Sequence, residues 1–304
     1  INFVRDLLEV DWMYYTPEYF EFYGCADFLK GGLVFSDKIN TVSPTYAKEI
    51  RTPYYGEGLD GVLQERSEDV SGIINGIDTV SFNPGGDPAI PAFYSAEDLS
   101  GKAVCKQEMQ KRMGLDVNPD IPVFAMVTRM TEQKGMDLIA AVIDDLMQNE
   151  NMQFVLVGSG DTHFEEFMIQ KQMRYEGRLA AYIGYNESLA HLVYAGSDFY
   201  IMPSRFEPCG LSQMIAMRYG TVPIVRETGG LKDTVKNYNP LTEEGTGFTF
   251  VNYDAPELKA AIFRALSCWN QKEVMSGLIK SDMEQDFSFD VSALEYMSLY
   301  ICMF

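Results

Sequence analysis

A glutamate and a pair of cations carry the most chemistry per residue in this chain of 304 residues. Glu207 stands in Ser204-Arg-Phe-Glu-Pro-Cys-Gly-Leu-Ser-Gln213. The apolar, β-rich segment 198–202 before it reads as a buried parallel strand. Pro203 and Pro208 cannot continue a ladder. From Gly210 onward, Leu211, Met214, Ile215 and Met217 fall near helical spacing. Glu207 is therefore expected on a tight turn between a strand end and a helix start. There the N–H groups of Cys209, Gly210 and Leu211 lack acceptors, as in the first turn of any helix. One carboxylate beside several free donors suits a polyhydroxylated or anionic ligand. After a further strand over 221–225, Thr228-Gly229-Gly230 opens another helix and offers a second donor nest, suited to phosphate. Arg129 and Lys134 leave one strand end and enter a helix, and two cations so placed can clamp a diphosphate. On residue type alone, solvated surface cations are the better account of that pair, and a helix-start carboxylate satisfying the dipole accounts for Glu207.

The elements that must hold these residues are legible in the pattern. From residue 121 the chain alternates strand and helix: strands over 123–128, 153–157, 179–183, 198–202, 221–225 and 247–251, with helices between. Apolar strands between amphipathic helices predict a doubly wound parallel sheet, whose ligands lie at the carboxyl ends of the strands. Upstream, a helix is expected over 27–35, a strand over 38–42, and a helix from the Ser43 cap and Pro44 through Ile50. A further helix is expected over 56–65, weakened by Gly58 and Gly61. Residues 70–78 read as a short strand ending in the Asn75-Gly76 turn pair. Residues 79–96, with three prolines and two glycines, read as a linker, and Ser95-Ala-Glu-Asp98 as a cap opening a helix to Met113. The tail is read as three helices over 256–269, 272–283 and 287–302.

Composition narrows the function classes. A net charge of −20 disfavours nucleic acid and anionic membrane as partners, and solubility is its plain reading. No apolar run is long enough for a membrane span. The five cysteines are scattered, with no Cys-x-x-Cys and only two histidines, so free thiols in a reducing compartment are expected rather than a zinc site. Cys209 has no His–carboxylate pair beside it in sequence and is read as a buried thiol. His163 and His191 are read as surface or packing residues, and Met109 and Met113 as one helix face. The start, Ile1-Asn-Phe-Val-Arg-Asp6, shows neither Met nor a signal-peptide pattern, and the chain is expected to be a fragment of a longer protein.

Ser204-Arg-Phe-Glu-Pro-Cys-Gly-Leu211 followed by Thr228-Gly-Gly-Leu231 resembles the bacterial glycogen synthase and plant starch synthase family, retaining glucosyltransferases. Val42-Ser-Pro-Thr-Tyr-Ala47, Asn75-Gly-Ile-Asp78 and Thr128-Arg-x-x-x-Gln-Lys-Gly135 fit the same family. Many wider relatives carry a second Glu eight residues after the first. Here that position is Ile215, which fits the glycogen and starch synthase branch. The resemblance implies an α/β fold with two Rossmann-like domains facing across a cleft (the GT-B type), the N-terminal one only partly present. Residues 1–74 would be the remnant of that acceptor domain, 75–286 the nucleotide-sugar domain, and 287–304 a final helix crossing back. In the family Phe-Ser-Trp opens that helix, where this chain has Phe287-Ser-Phe289.

The resemblance also assigns roles. Glu207 would lie against the transferred glucose, with Arg129 and Lys134 on the diphosphate. Asn75, Gly184, Tyr185, Cys209, Gly210, Leu211, Thr228, Gly229 and Gly230 would bind the donor, Tyr185 by stacking on adenine. The implied partners are ADP-glucose and an α-glucan primer, with no metal and no cofactor, in the cytoplasm or, for a plant protein, the plastid. A Lys-x-Gly-Gly-Leu loop and acidic and histidine groups of the first domain are missing from the sequence, so this chain alone is expected to be inactive. The alternatives are a non-catalytic module that binds nucleotide or glucan, and a transferase that uses UDP-glucose.

Overall fold

The computed structural model describes residue 6 and residues 9–303. Its centre is a six-stranded, all-parallel sheet built from β5 (Val123–Val127), β6 (Gln153–Gly158), β7 (Leu179–Ile183), β8 (Phe199–Met202), β9 (Val222–Arg226) and β10 (Phe248–Phe250). The strands lie in the order β10-β9-β8-β5-β6-β7. Sequence order reverses between β5 and β8, which pair through Phe124 with Phe199 and Ala125 with Tyr200. In such sheets the crevice for ligand opens at that switch point, beyond the strand ends.

Both faces are covered, which explains why the strands are apolar throughout rather than alternating. On one face α5 (Met136–Asn149) and a long helix of the tail (Ala255–Trp269) pack on Phe124, Phe154 and Phe199. The spacing of Ile139, Val142, Ile143 and Leu146 puts all four on the buried side of α5. On the other face lie α4 (Ser100–Met113), α7 (Glu187–Gly196) and α8 (Ser212–Arg218), meeting through Met109, Leu192, Met214 and Met217. The remaining helix of this unit between β6 and β7 is α6 (Thr162–Arg174). Ile215, at the position where wider relatives carry a second Glu, is buried in this second cluster.

The residues before 75 form a smaller unit. Strands β3 (Ile39–Thr41) and β4 (Val70–Gly72) pair in parallel, and β1 (Glu21–Phe22) pairs antiparallel with β2 (Cys25–Ala26). Three short helices accompany them: α1 (Phe28–Phe35), α2 (Pro44–Glu49) and α3 (Asp60–Glu65). Ser43 caps α2 through the Tyr46 N–H, with Pro44 at the first helical position. The chain then crosses to the large sheet through turns at 79–96. Asp87, buried in that stretch, accepts from the Tyr219 hydroxyl at 2.5 Å and pairs with His191 Nδ1 at 2.8 Å, so His191 is a packing residue tied to the crossing segment. After α9 (Gly229–Thr234), α10 (Ala255–Trp269) and α11 (Lys272–Met283), the last helix α12 (Phe289–Ile301) returns to the small unit. Its Ser292 hydroxyl donates to the Ile74 carbonyl at 2.7 Å and its Tyr296 hydroxyl to Asn40 at 3.0 Å.

Three boundaries differ from the sequence reading by more than two residues. The strand expected over 70–78 stops at Gly72, because its partner β3 offers only Ile39–Thr41 to pair with. The helix expected over 56–65 begins only at Asp60, because Glu57 and Gly58 both take positive φ and form a turn instead. Ser95 does not cap α4; it closes a local turn with Asp98, exchanging backbone bonds at 3.1 and 3.2 Å, and the helix starts at Ser100. Residues 1–5, 7, 8 and 304 lie outside the described residues.

Candidate active site

The loops after β5 and β8 are far apart in sequence and adjacent in space, because their strands are neighbours at the switch point. They are laced together. The Arg205 N–H donates to the Gln133 carbonyl at 2.8 Å, and the Gln133 side chain reaches the Phe206 carbonyl at 3.4 Å. Gly135, at φ +77°, closes the single 3₁₀ turn Glu132–Lys134, and a Cβ there would lie 2.2 Å from the Pro203 carbonyl oxygen. Only a residue without a side chain permits that approach.

This lacing aims Lys134 at Glu207. Lys134 Nζ lies 2.6 Å from Glu207 Oε2, and the Ser204 hydroxyl donates to the same oxygen at 3.1 Å. Glu207 is buried, and the pair is screened from water on both sides, with side chains 17% and 8% exposed. The two residues singled out separately in the sequence thus form one ion pair. Ser204, whose hydroxyl completes it, carried no signal beyond its place in the motif. Among the described residues, none of the hydrogen bonds is donated by the N–H groups of Cys209, Gly210 or Leu211. The Glu207 carboxylate is therefore followed in the chain by three unspent donors. The Cys209 thiol is buried against the Asn75 N–H, and burial pushes it above the usual thiol range, which suits packing rather than nucleophilic attack.

A cleft of about 250 Å³ lies over the carboxyl ends of β5, β6 and β7. Thr128, Arg129, Gly158, Gly184, Tyr185 and Asn186 are among its lining residues. Arg129 is exposed, and among the described residues its guanidinium bonds only to Gln133, at 3.3 Å, which leaves most of its donors available. Tyr185 is 86% exposed at the mouth. The Gly184 N–H is already given to the Gly158 carbonyl at 2.8 Å, so Gly184 shapes the cleft floor rather than offering its amide.

The second donor nest differs from its expectation. Its donors are engaged within the chain. The Thr228 hydroxyl and the Gly229 N–H both donate to the Glu49 carboxylate, at 3.0 and 3.1 Å, and the Gly230 N–H is held by the Glu207 and Pro208 carbonyls at 3.1 and 3.2 Å. Glu49 belongs to α2 of the small unit, so only tertiary folding brings this carboxylate to the nest. Thr228, Gly229 and Gly230 buttress the Glu207 loop.

The doubly wound parallel sheet is that of the GT-B glycosyltransferases, as its neighbours among solved structures show. Two family models match the chain, one described as the starch synthase catalytic domain over residues 2–65 and one as glycosyl transferases group 1 over residues 108–279. The glycogen synthase of Geobacillus thermodenitrificans is 51% identical over 297 residues, covering 98% of this chain and 61% of that protein. Among solved structures, the catalytic domain of starch synthase IV from Arabidopsis thaliana, bound to ADP and acarbose, superposes with a TM-score of 0.88 at 39% identity, over 95% of this chain and 61% of that one. Sucrose-phosphate synthase from Thermosynechococcus elongatus shares the fold, with a TM-score of 0.60 at 21% identity over 88% of this chain and 58% of that one. The chain belongs to the glycosyl transferases group 1 family, on the branch of the bacterial glycogen synthases and plant starch synthases. It spans about three-fifths of the length of the glycogen synthases it matches.

Proposed function

We propose that the protein takes part in glucosyl transfer from ADP-glucose to the non-reducing end of an α-1,4-glucan, with retention of anomeric configuration, in the cytoplasm. The observation that carries this reading is the Lys134–Glu207 pair at 2.6 Å, buried at the sheet's switch point and followed in the chain by the free N–H groups of 209–211, with a cleft over the ends of β5, β6 and β7 that Arg129 of the same β5 loop lines. The starch synthase IV catalytic domain to which the chain is similar is bound to ADP and acarbose, which supports the donor and acceptor classes.

Each group then has a task set by its chemistry. The diphosphate that leaves in such a reaction gains negative charge, and Arg129, Lys134 and the amides of Cys209, Gly210 and Leu211 can stabilise it. Lys134 can do so while still facing Glu207, because an ammonium has three donors and one is engaged here. Positive charge developing on the sugar in the transition state is stabilised by the Glu207 carboxylate. Tyr185, at the mouth of the cleft, would stack on the base, and Asn75, beside Cys209, would meet the sugar hydroxyls.

The test is Glu207→Gln in the intact protein. Gln keeps the acceptor oxygen for Ser204 and loses the charge. We expect ADP affinity, read by calorimetry, to change by less than about threefold, while transfer of labelled glucose to glycogen falls by about three orders of magnitude. Transfer at the parent rate would remove Glu207 from the chemistry and the proposal with it.

A further inference from the structure

The two short helices α2 and α9, from opposite units of the chain, cap each other. Glu49, the last residue of α2, accepts the Gly229 N–H at 3.1 Å on each carboxylate oxygen and the Thr228 hydroxyl at 3.0 Å. Asp233, in the last turn of α9, accepts the Thr45 N–H at 2.9 Å and the hydroxyls of Ser43 and Thr45, both at 2.5 Å. Each acid sits at the end of its own helix, where the helix dipole disfavours a negative charge. Each is instead set against the first turn of the other helix, where the dipole favours it and unpaired N–H groups need acceptors. Neither arrangement makes sense within one unit; together they are reciprocal.

The consequence reaches Glu207 through backbone alone. Gly229 takes φ +44°, and a Cβ on it would lie 2.0 Å from the Glu207 carbonyl oxygen. The neighbouring Gly230 N–H donates to that carbonyl at 3.1 Å. Glu49 thus fixes Gly229 from one side while Gly230 holds Glu207 on the other. We infer that Glu49 is a positioning residue for Glu207, transmitting the placement of the small unit to the loop of the ion pair through Thr228, Gly229 and Gly230. The half-buried Glu49 carboxyl is raised by desolvation, opposed by the Gly229 and Thr228 bonds and by Arg226, with Asp233 acting in the other direction. Desolvating a carboxylate is costly, and here its acceptor sites are filled by donors of the α9 nest.

The test compares Glu49→Ala with Glu49→Gln, whose amide oxygen can still accept from Thr228 and Gly229. The first readout is amide exchange in this chain, with Ala125 of the central sheet as control for global opening. In Glu49→Ala the Gly230 N–H should exchange at least about tenfold faster, with Ala125 unchanged and Glu49→Gln within about threefold of the parent. A Gly230 rate unchanged in Glu49→Ala overturns the inference, because the relay then stops at Gly229. A rate as fast in Glu49→Gln as in Glu49→Ala overturns it too. The second readout, turnover, rests on the function proposed above: in the intact protein Glu49→Ala should lower kcat by about tenfold with donor KM within about twofold, and Glu49→Gln should restore it. If the parent transfers no glucose at all, that proposal fails, and the exchange readout still decides the role of Glu49. An ADP affinity that rises about tenfold or more in Glu49→Ala would make Glu49 an occluding group over a phosphate site and overturn the positioning role.

Discussion

Replacing Lys134 by Ala would show what its pairing with Glu207 is worth, and the structure sets the size of the effect. Breaking a buried ion pair by removing one partner costs about 3–5 kcal/mol, mostly because the other charge is left desolvated. Here two features reduce that. Lys134 is 17% exposed, so water reaches the vacated space, and the Ser204 hydroxyl still donates to Glu207 at 3.1 Å. About 2–3 kcal/mol remains, a fall in Tm of roughly 4–10 °C for a domain of this size. Glu207→Gln alone should cost less, about 1 kcal/mol, because the long Lys134 chain can carry its charge toward water. In the Glu207→Gln background there is no charge to strand, so Lys134→Ala should then cost below about 1 kcal/mol. Chemical denaturation of the four proteins gives the coupling energy as a double-mutant cycle, expected at about 1–2 kcal/mol. A coupling below about 0.5 kcal/mol would mean that the pair is not formed in solution, and that Lys134 and Glu207 do not share a site.

Other outcomes follow from single features. Asp282, fully buried on α11, has no hydrogen-bond partner for either oxygen among the described residues, and burial alone raises its carboxyl well above the usual range. A raised carboxyl makes the folded state hold a proton that the unfolded state releases, so stability falls as pH rises above the unfolded value near 4, until the folded value is passed. Asp282→Asn should therefore gain about 1–3 kcal/mol over the parent at pH 7.5 and less at pH 4, measured by urea denaturation; a pH-independent difference would refute the assignment. Asp87→Ala strands the buried His191 ring and the Tyr219 hydroxyl and should cost about 2–3 kcal/mol by the same measurement; a cost under about 0.5 would show that the network does not hold the crossing segment. Tyr185→Ala, at an exposed side chain, should leave Tm unchanged and weaken ADP binding about tenfold by calorimetry; an unchanged affinity would remove Tyr185 from the base site.

Periodicity alone located the large sheet and its helices, since a parallel strand covered on both faces is apolar at every position. Leu179–Ile183 and Lys272–Met283 match the expected boundaries, and the other elements of that half shift by a residue or two. The turn carrying Glu207 was legible for the same local reason: prolines end the strand and glycine opens the helix. The motifs also marked Arg129, Lys134 and Tyr185 before any geometry was known. Boundaries failed where a turn competed with a weak helix, as at Glu57-Gly58 and Ser95.

What the sequence could not contain is which strand lies beside which. Residue order puts the loop of Lys134 far from that of Glu207; the reversal between β5 and β8 makes them neighbours and turns two separate candidates into one ion pair. The nest at Thr228-Gly229-Gly230 shows the opposite case. Read locally, its donors were free, because a helix start always leaves N–H groups unpaired. Only the docking of α2 supplied the Glu49 carboxylate that takes them. Local rules fix which groups need a partner, and long-range packing decides which partner they find.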